Sequence, residues 1–323
     1  MTSFVRPQST AREWIGAEDG KFPAEPNRYH LYVGKNCPWC HRVLIARAVL
    51  GLQDSITVDV AFPNRTDDDH PRGANWWQFR PEGYKTNNGR MTKFPDLTAD
   101  TVNGKELVIE IYEMCGIDQK SVPVLFDKKT GQIVSNESSE IVRMFGNHAK
   151  ALGGNNVVLY PEDKQKEMDE FLAWSYEKIN NGAYRAGFSG SQDTYEEAYA
   201  AYFAALDEIN ARLEKAGPFI FGDQFTEADL RLMPTLFRHD PVYYNRFKLS
   251  KKFLWEYPAI WTWMNAMYKQ PGIEETCDRL MLLHSVQGYY GRTGNGSVPV
   301  LNEEYPDCYK NPLPAVPSVK RPF

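Results

Sequence analysis

One run of residues restricts this chain more than any other. Arg28-Tyr-His-Leu-Tyr-Val-Gly34 has the alternation and the Tyr and Val content of a strand. Asn36-Cys-Pro-Trp-Cys-His-Arg42 follows. Then comes Val43-Leu-Ile-Ala-Arg-Ala-Val-Leu50, with helical spacing and a stop at Gly51. Pro38 suits a first helical turn, where its missing N–H has no partner to lose. Ser55-Ile-Thr-Val-Asp-Val60 reads as a second strand. Strand, cysteine pair at a helix start, and strand again make a βαβ unit, which requires a parallel pair covered by a helix.

Residues 62–116 have no clear period and contain Asp67-Asp-Asp69, Trp76-Trp77 and Asn87-Asn-Gly89. A stretch this long is functional or an elaborated loop. Leu107 to Cys115 is expected to form a helix before the next strand. Ser121-Val-Pro-Val-Leu-Phe126 is a short strand with an internal Pro. Asp127-Lys-Lys-Thr-Gly131 is a turn, Gln132-Ile-Val-Ser135 its partner strand, and Asn136-Glu-Ser-Ser139 opens a helix. Strand–helix–strand followed by strand–strand–helix is the thioredoxin-like order, with a mixed sheet. From Pro161 the pattern is helical at 162–181, 193–216, 226–238 and 256–270. Thr226, with Asp229 three residues on and apolar flanks, marks a strong helix start. The expected architecture is α/β plus all-α. Residues 1–27 form an N-terminal arm and 28–147 the thioredoxin-like domain. Residues 160–284 form a helical bundle and 285–323 an extended tail.

The chain has 323 residues, a net charge of -5 and no long apolar run. An acidic balance argues against nucleic acid or an anionic membrane surface as a partner, since both need a concentrated basic field. With no apolar core near the N-terminus for a secretory signal, a cytoplasmic location is expected. Five cysteines, at 37, 40, 115, 277 and 308, are too scattered for a disulfide scaffold. Cys115, Cys277 and Cys308 read as small buried or incidental thiols.

Cys37 is the candidate reactive residue. A free thiol titrates near about 8.5, and a helix N-terminus favours its anion through unsatisfied N–H groups and the helix dipole. A Cys-x-x-Cys pair can instead be half of a zinc site, but no second Cys/His pair with ligand spacing is present. It can be a dithiol redox pair, or two passive core residues. Cys40, one turn inside the helix, suits a buried small side chain. Pro123 opens the third strand opposite the cysteine, a position commonly cis in this fold. Val122 then offers its backbone to an extended ligand; an ordinary edge-strand Pro is the plainer reading. Asn136-Glu137-Ser138-Ser139 suits a ligand carboxylate, and equally a simple N-cap.

With these pieces in place the chain resembles the glutathione transferase superfamily, and within it the Xi class, the glutathionyl-hydroquinone reductases. The resemblance runs from about Tyr29 to about Val300. It rests on Cys37-Pro-Trp-Cys-His-Arg42, Ser121-Val-Pro-Val-Leu125, Ser135-Asn-Glu-Ser-Ser-Glu-Ile141 and Asn180-Asn-Gly-Ala-Tyr-Arg-Ala-Gly187. Tyr289-Tyr290, Ser297-Val-Pro-Val300 and the insertion with Trp76-Trp77 complete it. The resemblance implies that Cys37 is the nucleophile and that Trp77 lies along glutathione. Val122, ahead of Pro123, bonds its backbone; Glu137 and Ser138 hold the γ-glutamyl end; Lys120 contacts a carboxylate. Tyr176 and Tyr289 or Tyr290 line the aromatic substrate pocket, with plain core packing as the alternative. The class usually has Ala where this chain has Cys40, which raises an internal Cys37–Cys40 disulfide as a further route.

The implied activity is glutathione-dependent cleavage of glutathionyl-hydroquinones, with glutathione as co-substrate and no metal or nucleotide. The sequence offers neither a GxGxxG in a βαβ unit nor a P-loop. A homodimer is expected by resemblance. The rivals are an omega-like thioltransferase or dehydroascorbate reductase, and a non-catalytic binding module on the same fold.

Overall fold

A computed structural model describes residues 6–18, 20–67, 69–85 and 91–290. Among these the chain divides into two compact units. One holds Gln8–Val157 with Leu280–Tyr290. The other holds Arg6, Pro7 and Val158–Arg279.

The first unit is built on β1 (Tyr29–Gly34), α1 (Pro38–Val49) and β2 (Thr57–Ala61). β1 and β2 pair in parallel, with Val33 opposite Val60. Every residue of β1 is buried, as a strand covered on both faces requires. Two short strands, β3 (Tyr84–Lys85) and β4 (Met91–Thr92), pair within the insertion. α2 (Val108–Met114) then leads to the antiparallel hairpin β5 (Val124–Asp127) and β6 (Gln132–Ser135). The sheet order is β2-β1-β5-β6, mixed as the sequence implies. α3 (Ser138–His148) follows, and packs against α1. The strand read as beginning at Ser121 begins at Val124, after Pro123, which has no N–H for a ladder. The N-terminal arm extends the sheet. Glu13 N–H donates to Val134 O at 2.9 Å and Asn136 N–H to Ala11 O at 3.0 Å, on either side of an Arg12–Ser135 bridge.

The second unit is helical: α4 (Gln165–Ser175), α5 (Gly182–Gly187), α6 (Gln192–Ala216), α7 (Glu227–Arg238), α8 (Tyr244–Arg246) and α9 (Pro258–Tyr268). Thr226 caps α7 as its sequence predicts. Asp229 accepts from the Thr226 N–H at 3.1 Å, and its other oxygen accepts from Ile220 N–H and Trp263 Nε1–H. The helix read over 162–181 is interrupted. A 3₁₀ turn covers Glu162–Lys164, and after α4 a π-helical turn covers Tyr176–Asn180, closed by Asn181 N–H on Tyr176 O at 2.7 Å.

The segment from Ser285, read as the start of an extended tail, is instead helical to Tyr290. It continues α10 (Arg279–Tyr290). Its Gly and Tyr content is poor for a helix. Hydrogen bonds of His284 with Asp96 and of Gln287 with Asn64 hold it. The remainder of the predicted tail, with Ser297-Val-Pro-Val300 and Cys308, lies outside the described residues.

Candidate active site

Cys37 is the N-cap of α1, with extended backbone (φ -82°, ψ 120°). Its N–H donates to Gly34 O at 2.9 Å, and its carbonyl accepts from His41 N–H at 3.1 Å. These bonds turn the chain from β1 into α1 and leave the side chain at the helix start. The first turn of α1 has no acidic residue to oppose a thiolate there. Cys37 is half-buried, and its Sγ lies 3.7 Å from Val122 O. Cys40 is fully buried, and its Sγ accepts from the Gly34 N–H at 3.4 Å. Neither forms a disulfide with another described cysteine. One cysteine therefore faces outward at the cap, and the other is tied into the turn beneath it.

The Val122–Pro123 peptide is cis, as the fold order predicts. Val122 precedes the β1–β5 ladder, whose last pair is Tyr32 with Val124. Its peptide groups thus lie beside the Cys37 sulfur, beyond the sheet pairing. Next to it, Asn136 is buried and its side-chain N–H donates to Ser121 Oγ at 3.1 Å.

Glu137 caps α3, and Ser138 is the buried first residue of that helix. The Glu137 carboxylate accepts from Ser139 N–H at 3.1 Å and Ser139 Oγ–H at 2.9 Å. It also accepts from Ser9 Oγ–H at 3.1 Å. Burial works against its charge, but these donors and the charge of Arg42 hold the carboxyl below its ordinary value. The site thus presents a fixed anion beside a helix N-terminus, suited to the ammonium and carboxylate of an α-amino acid end.

Trp77 is 3% exposed and its ring lies against Gly34. Its Nε1–H is buried and has no hydrogen-bond partner among the described residues. A buried indole donor left in this way is suited to a ligand acceptor. Arg65 stacks on the same indole, 3.6 Å from guanidinium carbon to ring centroid. Lys120 is exposed and sits over the ring of Trp76 at 5.1 Å.

The three tyrosines separate by unit. Tyr289 and Tyr290 close α10, are half-buried and belong to the unit that carries Cys37. Tyr176 belongs to the helical unit, where it opens the π-helical turn. Such turns often mark functional positions. Four residues escaped sequence reasoning: Ser9, Arg65, Asp96 and His284. Ser9, Asp96 and His284 lie far in sequence from the residues they touch, and Arg65 meets Trp77 inside a stretch without a clear period. The only hint was the length of the insertion that carries Arg65 and Asp96. No group of three or more His, Cys, Asp or Glu side chains able to hold a metal occurs among the described residues.

Comparison with known proteins agrees with this geometry. The profile of the glutathione S-transferase N-terminal domain matches residues 36–148, and that of the C-terminal domain residues 192–266. The chain belongs to the glutathione transferase superfamily, in its Xi class. It is 39% identical over 286 residues to glutathionyl-hydroquinone reductase YqjG of Escherichia coli, covering 84% of this chain and 80% of that protein. The glutathione-bound structure of YqjG superposes with a TM-score of 0.76 at 37% identity, over 87% of each chain. Glutathionyl-hydroquinone reductase PcpF of Sphingobium chlorophenolicum is 35% identical over 291 residues, 89% of this chain and 85% of that one. The Xi glutathione transferase of Phanerochaete chrysosporium matches with a TM-score of 0.76 at 34% identity, covering 89% of this chain and 92% of that one.

Proposed function

We propose that this protein is a glutathionyl-hydroquinone reductase in which Cys37 exchanges glutathione with the substrate. The observation that carries the reading is Cys37 itself. It is a half-buried thiol at the cap of α1, beside the Val122 peptide that lies beyond the sheet pairing, while Cys40 is held below it. The similarity to YqjG and PcpF supports the substrate class.

The reaction begins with a hydroquinone carrying glutathione on a ring carbon. The γ-glutamyl end lies at Glu137 and Ser138, the backbone along Val122, and the remainder against Trp77, with Lys120 near a carboxylate. The Cys37 thiolate attacks the glutathione sulfur. The electron pair of the carbon–sulfur bond stays with the ring carbon, which takes a proton, and a Cys37–glutathione mixed disulfide forms. A pocket tyrosine, for which Tyr176, Tyr289 and Tyr290 are the candidates, polarises the ring hydroxyl toward its keto form, which readies that carbon. A second glutathione thiolate attacks the mixed disulfide. Oxidised glutathione leaves and the Cys37 thiolate is restored. The ring is reduced by two electrons and two glutathione sulfurs are oxidised. Pro123 sets the direction of the Val122 peptide.

The test is release of hydroquinone from a synthetic glutathionyl-hydroquinone, with mass mapping of the trapped enzyme. Wild type is expected to turn over and to carry one glutathione on Cys37, and Cys37→Ala to do neither. Wild-type turnover retained in Cys37→Ala would sink the reading. Faster turnover of dehydroascorbate or simple mixed disulfides than of the conjugate would move the assignment to an omega-like thioltransferase. A homodimer in the cytoplasm is part of the same reading, and sedimentation of the purified protein tests the dimer.

A further inference from the structure

The C-terminal helix α10 is fastened to the Cys37 segment by a small ionic cluster. Asp96 lies in the insertion. One of its oxygens accepts from His284 Nε2 at 2.8 Å; the other meets Lys35 Nζ at 2.5 Å. His284, on α10, is fully buried, and its ring stacks on Phe94 with centroids 4.2 Å apart. Because a carboxylate only accepts, Nε2 of His284 carries the proton in this bond.

Two neighbours extend the attachment along one helix face. Gln287 Nε2 donates to Asn64 Oδ1 at 2.6 Å, and Asn64 Nδ2 donates back to Gln287 O at 3.2 Å. Gly288 lies against Asn36 so closely that a Cβ would fall 2.3 Å from Asn36 Nδ2. Positions 284, 287 and 288 are spaced i, i+3, i+4 and share a face. Gly288 meets Asn36 directly and His284 reaches Lys35 through Asp96, and these are the two residues that precede Cys37. Tyr289 and Tyr290 follow directly on the same helix.

We propose that Asp96, with His284 and Lys35, is a positioning cluster that holds the tyrosine-bearing end of α10 in register with Cys37. This rests on the reductase reading above, in which Tyr289 or Tyr290 meets the hydroquinone ring. None of the three residues touches the reacting atoms. Their work is to tie two chain segments to one carboxylate, so that the group acting on the ring keeps its distance from the sulfur. Asp96 is fit for this. Burial disfavours its charge, but His284 and Lys35 together hold its carboxyl well below the usual carboxylate range, so the bridge stays ionised. The cluster gives the insertion that interrupts the thioredoxin-like order a use in the reaction.

The experiment compares two reactions of the full chain. Cleavage of a glutathionyl-hydroquinone needs the ring-facing tyrosines. Reduction of the mixed disulfide of glutathione and 2-mercaptoethanol needs only Cys37 and the glutathione site. Asp96→Asn is expected to lower kcat/KM for the conjugate by about tenfold or more, since small misplacements cost that much. It is expected to change mixed-disulfide reduction by less than about twofold. Lys35→Arg, which keeps the ion pair, is expected to retain the conjugate reaction. Equal loss of both reactions in Asp96→Asn, or loss of neither, would overturn the proposal. Should Asp96→Asn fail to fold, Gly288→Ala pushes the same helix off Asn36 with the cluster intact, and the same selective loss is expected. Hydrogen exchange over 280–290 is independent of substrate. Faster exchange in Asp96→Asn supports the cluster, and unchanged exchange overturns it. Failure of wild type to cleave the conjugate would instead sink the reductase reading.

Discussion

The indole of Trp77 occupies the space that a side chain at Gly34 would need. A Cβ there would lie 2.5 Å from Trp77 Cζ3. Gly34 also supplies the carbonyl that accepts from Cys37 N–H and the N–H that meets Cys40 Sγ. One glycine therefore sets both the cysteine turn and the seat of the tryptophan. Gly34→Ala is expected to raise the KM for glutathione about tenfold by displacing Trp77, and to cost about 1–3 kcal/mol of stability through overpacking. Steady-state kinetics and urea unfolding measure the two. An unchanged KM would show that Trp77 does not contact glutathione.

Native alkylation should separate the cysteines. Cys37 is half-buried at a helix cap, whereas Cys40 and Cys277 are buried. Burial also pushes the Cys277 thiol up to about 12, so almost none of it is thiolate at neutral or mildly alkaline pH. Iodoacetamide at pH 8 is expected to label Cys37 within minutes and to leave Cys277 and Cys40 unlabelled until the chain unfolds. Peptide mass mapping reads the result. Equal labelling of Cys40 would bring back the dithiol route.

Ser9 should contribute to the glutathione site from the N-terminal arm. Its hydroxyl donates to Glu137, whose carboxylate faces the γ-glutamyl end in the proposed pose. Ser9→Ala removes one hydrogen bond to a charged group, worth roughly 1 kcal/mol, or about fivefold in affinity. Calorimetric titration with glutathione is expected to show that loss, with Cys37 alkylation unaffected.

The helical unit carries a buried acid whose effect on stability has a definite sign. Burial pushes the Asp240 carboxyl up to about 8, one oxygen accepting from Leu254 N–H at 2.9 Å. The folded state then keeps a proton that the unfolded chain releases at ordinary carboxylate pH. Between those two values stability falls as pH rises, and the loss is complete above about 8. Asp240→Asn keeps an oxygen for Leu254 and has no charge to bury. Its melting temperature relative to wild type is expected to rise by a few degrees between pH 5 and pH 9, since about 1 kcal/mol moves a domain of roughly 150–250 residues by about 2–4 °C and a longer chain by less. A constant difference across that range would show that Asp240 is ionised when folded.

The order of the elements and the nucleophile were legible because each is a local matter. Strand alternation, the Cys-Pro turn and the stop at Gly51 all act within a few residues of one another. The same holds for Thr226 and Asp229, three positions apart and joined in the capping arrangement their spacing implies. The end of α10 was not legible. Its Gly and Tyr content opposes a helix, and contacts with Asn36, Asn64 and Asp96 override it. The π turn at Tyr176 was hidden for a related reason, because a one-residue change of hydrogen-bond register leaves the apolar spacing nearly intact.

Cys37 marks the division. By itself the sequence determined that this thiol caps a helix after a strand, because neighbouring residues impose that geometry. Only the tertiary structure decided what surrounds it. Val122 is 85 residues away from it along the chain, and His284 is 188 residues from Asp96. No local propensity encodes such pairs. They form because burying the core brings the segments together, and a buried carboxylate must then find its donors.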